Sequence, residues 1–281
     1  MAQSLNRIVL VTGGTGKQGA ATVRHLLASR LVQVRVLTRK PHSEKAKRLA
    51  AQGVELARGD FDDPPALVRA LSGVSAAFSV QGDGALEVQR GKMFADAVKA
   101  AGTPQLVYSS LDGAERGSGV PHYESKWRIE EHIRELALPA TILRPVAFME
   151  NFLMPTFPRS VFLGILAAAL GRSKPLQLVS TSDVGWFAAR ALEEPTQYVG
   201  RTIAVAGDEL NVDEILDAYS KVHGRALRPF RAPRFALRLL PKDLSSMLCW
   251  FAEHGFEANI PELRQEHPGL ISFASWLQAA Q

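Results

Sequence analysis

The chain has 281 residues, 46% of them hydrophobic and 22% charged, with a formal net charge of +5. That length and composition exclude a disordered or low-complexity polypeptide and support one large domain, or one domain with a smaller lobe. A single cysteine, Cys249, excludes an intrachain disulfide and fits a reducing compartment. The longest apolar run, VFLGILAAAL over 161–170, is half of what a bilayer-spanning helix needs, so no membrane span is expected. The first seven residues run straight into an apolar strand and leave no room for a signal peptide, so a cytoplasmic location is expected.

The first predicted strand is Ile8-Val9-Leu10-Val11, a run suited to burial on both faces. It leads into Thr12, then Gly13-Gly14-Thr15-Gly16-Lys17-Gln18-Gly19, and a helical pattern with apolar Ala20, Val23, Leu26 and Leu27 follows. In a strand–turn–helix unit of this kind, one glycine permits the sharp turn and one admits a pyrophosphate close to the backbone. A third lets helix and strand pack tightly, and the helix N-terminus supplies N–H groups and a partial positive charge to the anion. The arrangement predicts dinucleotide binding. Charge is concentrated in the same region: residues 1–60 hold eleven Lys or Arg and three acids, a local excess of +8. That excess suits a phosphate-bearing ligand. No nucleic-acid partner is expected, because the cations alternate with buried strand positions and no helix-turn-helix or aromatic platform accompanies them.

The second predicted strand, Val32 to Leu37, ends at Thr38-Arg39-Lys40-Pro41. NAD-selective sites usually place an acid here to bind the ribose 2′-hydroxyl, whereas arginine accommodates a 2′-phosphate. Arg39 and Lys40, with no acid beside them, therefore predict NADP(H) ahead of NAD. The third strand, 54–57, leads to Asp60 and Phe61, placed to meet an adenine ring. Asp62 and Asp63 read as caps of the next helix. A fourth strand, 74–80, ends at Gln81-Gly82, where the middle of the cofactor would pass. A helix over 86–101, a strand over 106–110, a helix over 124–136 and a strand over 140–144 continue the alternation. Such repetition predicts an α/β fold with a doubly wound, parallel sheet of the Rossmann type. Residues 1–150, with 176–206 returning to them, are assigned to the dinucleotide-binding domain; 151–175 and 207–281 form a smaller, mostly helical C-terminal lobe.

Read together and in order, GGTGKQG, VLTRKP, GDFDD, YSSLDGA, Lys126, RPVAFMENFL, SDVG, Gly207-Asp208-Glu209-Leu210 and SFASWL resemble the NmrA-like family of atypical short-chain dehydrogenases over nearly the whole chain. The resemblance implies a pyrophosphate loop at Gly14–Gly19, a 2′-phosphate contact at Arg39 and an adenine-side contact at Asp60 and Phe61. It further implies a middle-loop contact near Gln81 and Gly82, a nicotinamide-ribose lysine at Lys126, and a nicotinamide-side segment over Phe148-Met149-Glu150-Asn151. The family includes NADP(H) redox sensors, transcriptional regulators and quinone reductases. Active short-chain dehydrogenases place a tyrosine four residues before the lysine, with a serine at a neighbouring strand end. Here that tyrosine position is His122, with Tyr123 one residue later and Ser109 or Ser110 at the strand end. The candidate catalytic set is Lys126, Tyr123, His122 and Ser110. Two functions remain open: an NADP(H)-binding redox-sensing or regulatory protein with weak or no catalysis, and an NADPH-dependent reductase of a small hydrophobic quinone, enone or imine. For the latter, Phe148, Phe152, Phe157 and residues 161–170 are the expected pocket lining. A protein partner or a homodimer suits the regulatory reading. The histidines show no metal-ligand spacing, and no metal is expected.

Overall fold

The computed structural model describes residues 7–82, 84–117, 119–153 and 158–280. Its first elements are β1 (Ile8–Val11), α1 (Lys17–Ser29), β2 (Gln33–Thr38), α2 (Glu44–Ala51), β3 (Glu55–Arg58), α3 (Pro64–Leu71), β4 (Val74–Ser79) and α4 (Glu87–Ala100). They continue through β5 (Leu106–Ser109), α5 (Pro121–Glu135), β6 (Ala140–Pro145), β7 (Ala147–Phe148), α6 (Arg159–Leu170), β8 (Leu176–Val179) and α7 (Thr181–Glu193). The rest are α8 (Pro195–Tyr198), β9 (Thr202–Val205), β10 (Asp208–Leu210), α9 (Val212–His223), α10 (Lys242–Glu253), α11 (Ile260–Glu266) and α12 (Phe273–Ala279). The main sheet has the strand order β3-β2-β1-β4-β5-β6-β9, and the ladders joining β1 to β6 are parallel. Strand order reverses at β1, the edge where open α/β sheets bind ligands. This is the doubly wound Rossmann architecture that the alternation predicts. Among the described residues no helix is long and apolar enough to cross a membrane.

The chain separates into two compact units. The first comprises 1–111, 125–144 and 184–203; the second comprises 112–124, 145–183 and 204–281. In the first, Leu10, Ala77, Tyr108 and Ile142 from the sheet pack with Leu67 and Leu71 of α3, Phe94 and Val98 of α4, and Ile129 and Ile133 of α5. Pro64 stands in the first turn of α3 and Asp63 caps it, its carboxylate accepting from the Ala66 amide at 3.1 Å. Asp62, also expected to cap, instead holds Arg90 through two bonds of 3.0 and 2.6 Å. α5 starts at Pro121, three residues earlier than predicted, because proline suits the first helical position.

The second unit carries its own three-stranded sheet, β10-β8-β7. Phe152, Phe162, Tyr219, Phe273 and Trp276 form one aromatic cluster, with Phe152 lying 5.1 Å from Phe162 and 5.0 Å from Phe273 between ring centres. The carboxylates of its sequence motifs fasten backbone. Glu150 accepts from the Thr181 amide at 2.9 Å, Asp183 from the Ile271 amide at 3.2 Å, and Asp208 from the Phe273 amide at 2.8 Å. Apolar Leu163, Leu166 and Leu170 of α6 are buried, and Phe157 lies outside the described residues.

Within the first unit, Glu193 at the end of α7 accepts from the Ser29 hydroxyl at the end of α1. Burial raises its carboxyl above the usual range, against the lowering pull of Ser29 and nearby Arg190. A raised carboxyl favours its protonated form in the fold, so its stabilising contribution is present in acid and is lost as pH rises through the folded value. Glu193→Gln keeps the acceptor without the charge. Its melting temperature should exceed that of the wild type at about pH 7, with the gap closing towards about pH 4 in thermal scans.

Candidate functional site

β1 hands the chain to a turn whose shape is set by side-chain and backbone bonds. The Thr12 hydroxyl accepts from the Val80 amide at 2.9 Å and lies 3.2 Å from the Val80 carbonyl, tying the turn to the end of β4. Gly13 has φ +62°, and its carbonyl accepts from the Gly16 amide at 2.8 Å. A Cβ at Gly19 would stand 2.3 Å from that same carbonyl oxygen, so only glycine lets α1 begin this close to the strand. Gly16 caps α1 with no side-chain bond, and its first turn, Lys17, Gln18 and Gly19, holds no acid. By contrast, α2 and α3 are capped by Ser43 and Asp63. The first-turn amides of α1 thus carry no side-chain cap and, with Gly14 and Thr15 of the turn, could border an anion. This is the geometry a dinucleotide pyrophosphate fits. Gln18 is held from the end of β5, its Oε1 accepting from the Ser109 hydroxyl at 2.6 Å.

At the end of β2 the Lys40 amide donates to the Thr38 hydroxyl at 3.2 Å, turning the chain so that the Arg39 side chain is 68% exposed. Its Nε lies 3.9 Å from Asp60 Oδ2, a loose ion pair that brings the two sequence-predicted residues together. Phe61 packs edge-on to Phe94 at 5.8 Å, anchoring its turn to α4. Gln81 is buried: its amide nitrogen donates to Ser79 at 2.7 Å, and its Oε1 has no partner among the described residues. Gly82 beside it is exposed. A buried orphan acceptor next to an exposed glycine fits a ligand hydroxyl or amide passing the end of β4.

Lys126 is buried on α5, with Nζ 2.8 Å from Glu87 Oε1 and 5.8 Å from the centre of the Tyr108 ring. Ser110, the candidate catalytic serine, donates to Glu130 at 2.5 Å. Glu130 also takes Arg144 at 3.0 and 2.8 Å and Arg134 at 2.6 Å, so Ser110 belongs to a buried charge network. Neither Glu87 nor Glu130 is visible as a functional residue in the sequence. The one signal is spacing, since Glu130 stands one turn beyond Lys126 on the same helix.

In the second unit, Tyr123 is buried with its ring 4.7 Å from that of Trp250. Burial, reinforced by the Asp112 carboxylate, pushes its hydroxyl well above the usual tyrosine range. Asp112 is itself held by Arg116 at 3.0 Å. His122 is half-buried, edge-on to Tyr123 at 6.5 Å. Phe148 and Asn151 are half-buried around Glu150, which fastens the start of α7. A cavity of about 370 Å³ is lined by Val120, Leu237, Cys249, Trp250, Glu253 and His254, and no sequence motif marked it. Among the described residues no group of three or more His, Cys, Asp or Glu is arranged to hold a metal.

The Glu130 network generates a direct test. Glu130→Ala leaves Arg144 buried without its carboxylate and should cost about 3–5 kcal/mol in urea denaturation. Ser110→Ala removes one hydrogen bond and should cost about 1 kcal/mol. A serine with no structural role would cost nothing.

The model of the NmrA-like family matches residues 6–267. An NmrA-like family domain-containing oxidoreductase, malD, of Malbranchea aurantiaca is 32% identical over 253 residues, 80% of this chain and 75% of its own. A (4-alkanoyl-5-oxo-2,5-dihydrofuran-3-yl)methyl phosphate reductase of Streptomyces griseus is 34% identical over 228 residues, 79% of this chain and 76% of its own. Among solved structures, NmrA, a negative transcriptional regulator, in complex with NADP superposes with a TM-score of 0.79 at 21% identity. That match covers 98% of this chain and 95% of NmrA. With that family match spanning both units, the chain belongs to the NmrA-like family.

Proposed function

We propose that this protein binds NADP(H) at the turn between β1 and α1 and serves as a redox-sensing or regulatory protein with weak or no catalysis. The observation that carries the binding is the uncapped start of α1 behind Gly13–Gly19, with Arg39 at the neighbouring strand end. In this reading the α1 amides hold the pyrophosphate, Arg39 and Lys40 the 2′-phosphate, Asp60 and Phe61 the adenine side. Gln81 and Gly82 border the middle, and Lys126 takes the nicotinamide ribose. Bound NADPH would supply a hydride. The chain's own tyrosine is poorly placed to supply a proton, because Tyr123 is buried on Trp250 with its hydroxyl held protonated. His122 occupies the position of the short-chain dehydrogenase tyrosine. Ser110 is engaged by Glu130. These observations favour binding over turnover.

The reductase reading keeps specific support from the two relatives described as an oxidoreductase and a reductase. Such a reaction suits an electron-poor acceptor, a quinone, enone or imine, that takes its proton from water.

Titration calorimetry with NADPH, NADP+, NADH and NAD+ tests both parts. The phosphorylated pair should bind more tightly. Arg39→Ala should lose about tenfold or more for that pair while sparing NADH, the scale of one charge-assisted contact. Equal affinity for all four would overturn the NADP(H) assignment. Steady NADPH oxidation with a quinone, enone or imine panel, lost on Lys126→Ala, would replace sensing by reduction.

A further inference from the structure

Helix α4 carries no residue of the glycine, arginine or lysine motifs, yet one of its faces touches both ends of the proposed cofactor site. Glu87, Arg90 and Phe94 stand at i, i+3 and i+7 and so share a face. Glu87 meets Lys126 at 2.8 Å, and its second oxygen accepts from the Ser125 hydroxyl. Arg90 holds Asp62 through two bonds of 3.0 and 2.6 Å, which draw the Asp62 carboxyl below its usual range. Phe94, fully buried, meets Phe61 at 5.8 Å. One helix therefore supports the turn bearing Asp60 and Phe61 and, one to two turns earlier, the lysine on α5.

The close approach that makes this possible is local. A Cβ at Gly91 would stand 2.4 Å from Ile129 Cδ1, so glycine there lets α4 and α5 lie side by side. Gly91 is one turn beyond Glu87, and Ile129 is three residues beyond Lys126, so the contact that brings the helices together also delivers the carboxylate to the ammonium. Both charges are nearly inaccessible, the Lys126 side chain 6% exposed and that of Glu87 2%. A buried ammonium without a partner would be strongly penalised. It carries three N–H donors, and one carboxylate orients it while leaving donor capacity for ligand hydroxyls.

Building on the NADP(H) reading above, we propose that α4 aligns the two halves of the site. Glu87 is the positioning residue for Lys126 at the nicotinamide half, and Arg90 with Phe94 supports the adenine half. The two ends are then separable by ligand. Calorimetry on the intact protein uses NADPH and, as a probe lacking the nicotinamide half, 2′,5′-ADP. Glu87→Gln should weaken NADPH about tenfold, the scale of one charge-assisted hydrogen bond, and leave 2′,5′-ADP within about twofold. Arg90→Gln should weaken both ligands alike, by up to about fivefold for a partly exposed pair. Ser125→Ala, which removes one donor to Glu87, should repeat the Glu87→Gln selectivity at smaller amplitude, and it decides the matter if Glu87→Gln does not fold. A Glu87→Gln or Ser125→Ala effect that falls equally on both ligands, or on neither, overturns the inference while NADP(H) binding stands. A wild-type protein that binds neither ligand overturns the cofactor reading, and this inference with it.

Discussion

An α-helix that begins without a side-chain cap leaves its first amide hydrogens to water or a ligand. At α1 the deficit is built in: Gly16 offers no side-chain oxygen, and the first turn has no acid. The neighbouring helices α2 and α3 complete their own starts with Ser43 and Asp63. Helix α4 also begins without a side-chain cap, after Leu86, so what sets the α1 start apart is the glycine turn in front of it. The surroundings of α1 preserve its geometry. Thr12 anchors the turn to β4, Ser109 holds Gln18 from β5, and Gly19 permits an approach that any side chain would block.

Beneath this edge lie two buried carboxylates with different tasks. Glu130 binds Arg144, Arg134 and Ser110 together and so closes a network among β5, α5 and β6. Glu87 meets Lys126 and also accepts from the Ser125 hydroxyl. Removing one member of such a pair leaves the other as a buried, uncompensated charge, so both clusters fix side-chain positions more than they add to stability. The serine expected to assist chemistry is drawn into the first cluster, and the lysine into the second. In the second unit Tyr123 is taken into an aromatic contact with Trp250. Residues that the family pattern offers for proton transfer thus also carry structural contacts.

The later motifs follow the same logic. Asp183 of SDVG accepts from the Ile271 amide, Asp208 of the Gly207–Leu210 segment from Phe273, and Glu150 from Thr181. Each is a carboxylate on a backbone N–H, a charge-assisted bond that fastens a helix start at Thr181 and Phe273 and a loop at Ile271. The cavity bordered by Cys249 and Trp250 sits within that loop-rich unit and carries no motif that announces it.

What the amino-acid order determined alone is what depends on near neighbours. The alternation of apolar runs with helical stripes specified the parallel sheet. The glycines at 13, 16 and 19 specified the turn, and Arg39 and Asp60 at successive strand ends came together as the parallel register requires. Asp63 before Pro64 announced its cap. Only the tertiary structure decided which charges meet across elements: Glu87 with Lys126, Asp62 with Arg90, Glu130 with Arg144 and Ser110. An acidic residue on a helix reads the same whether it faces water or a buried cation. That choice depends on how closely two helices approach, and here on one glycine, Gly91, against Ile129.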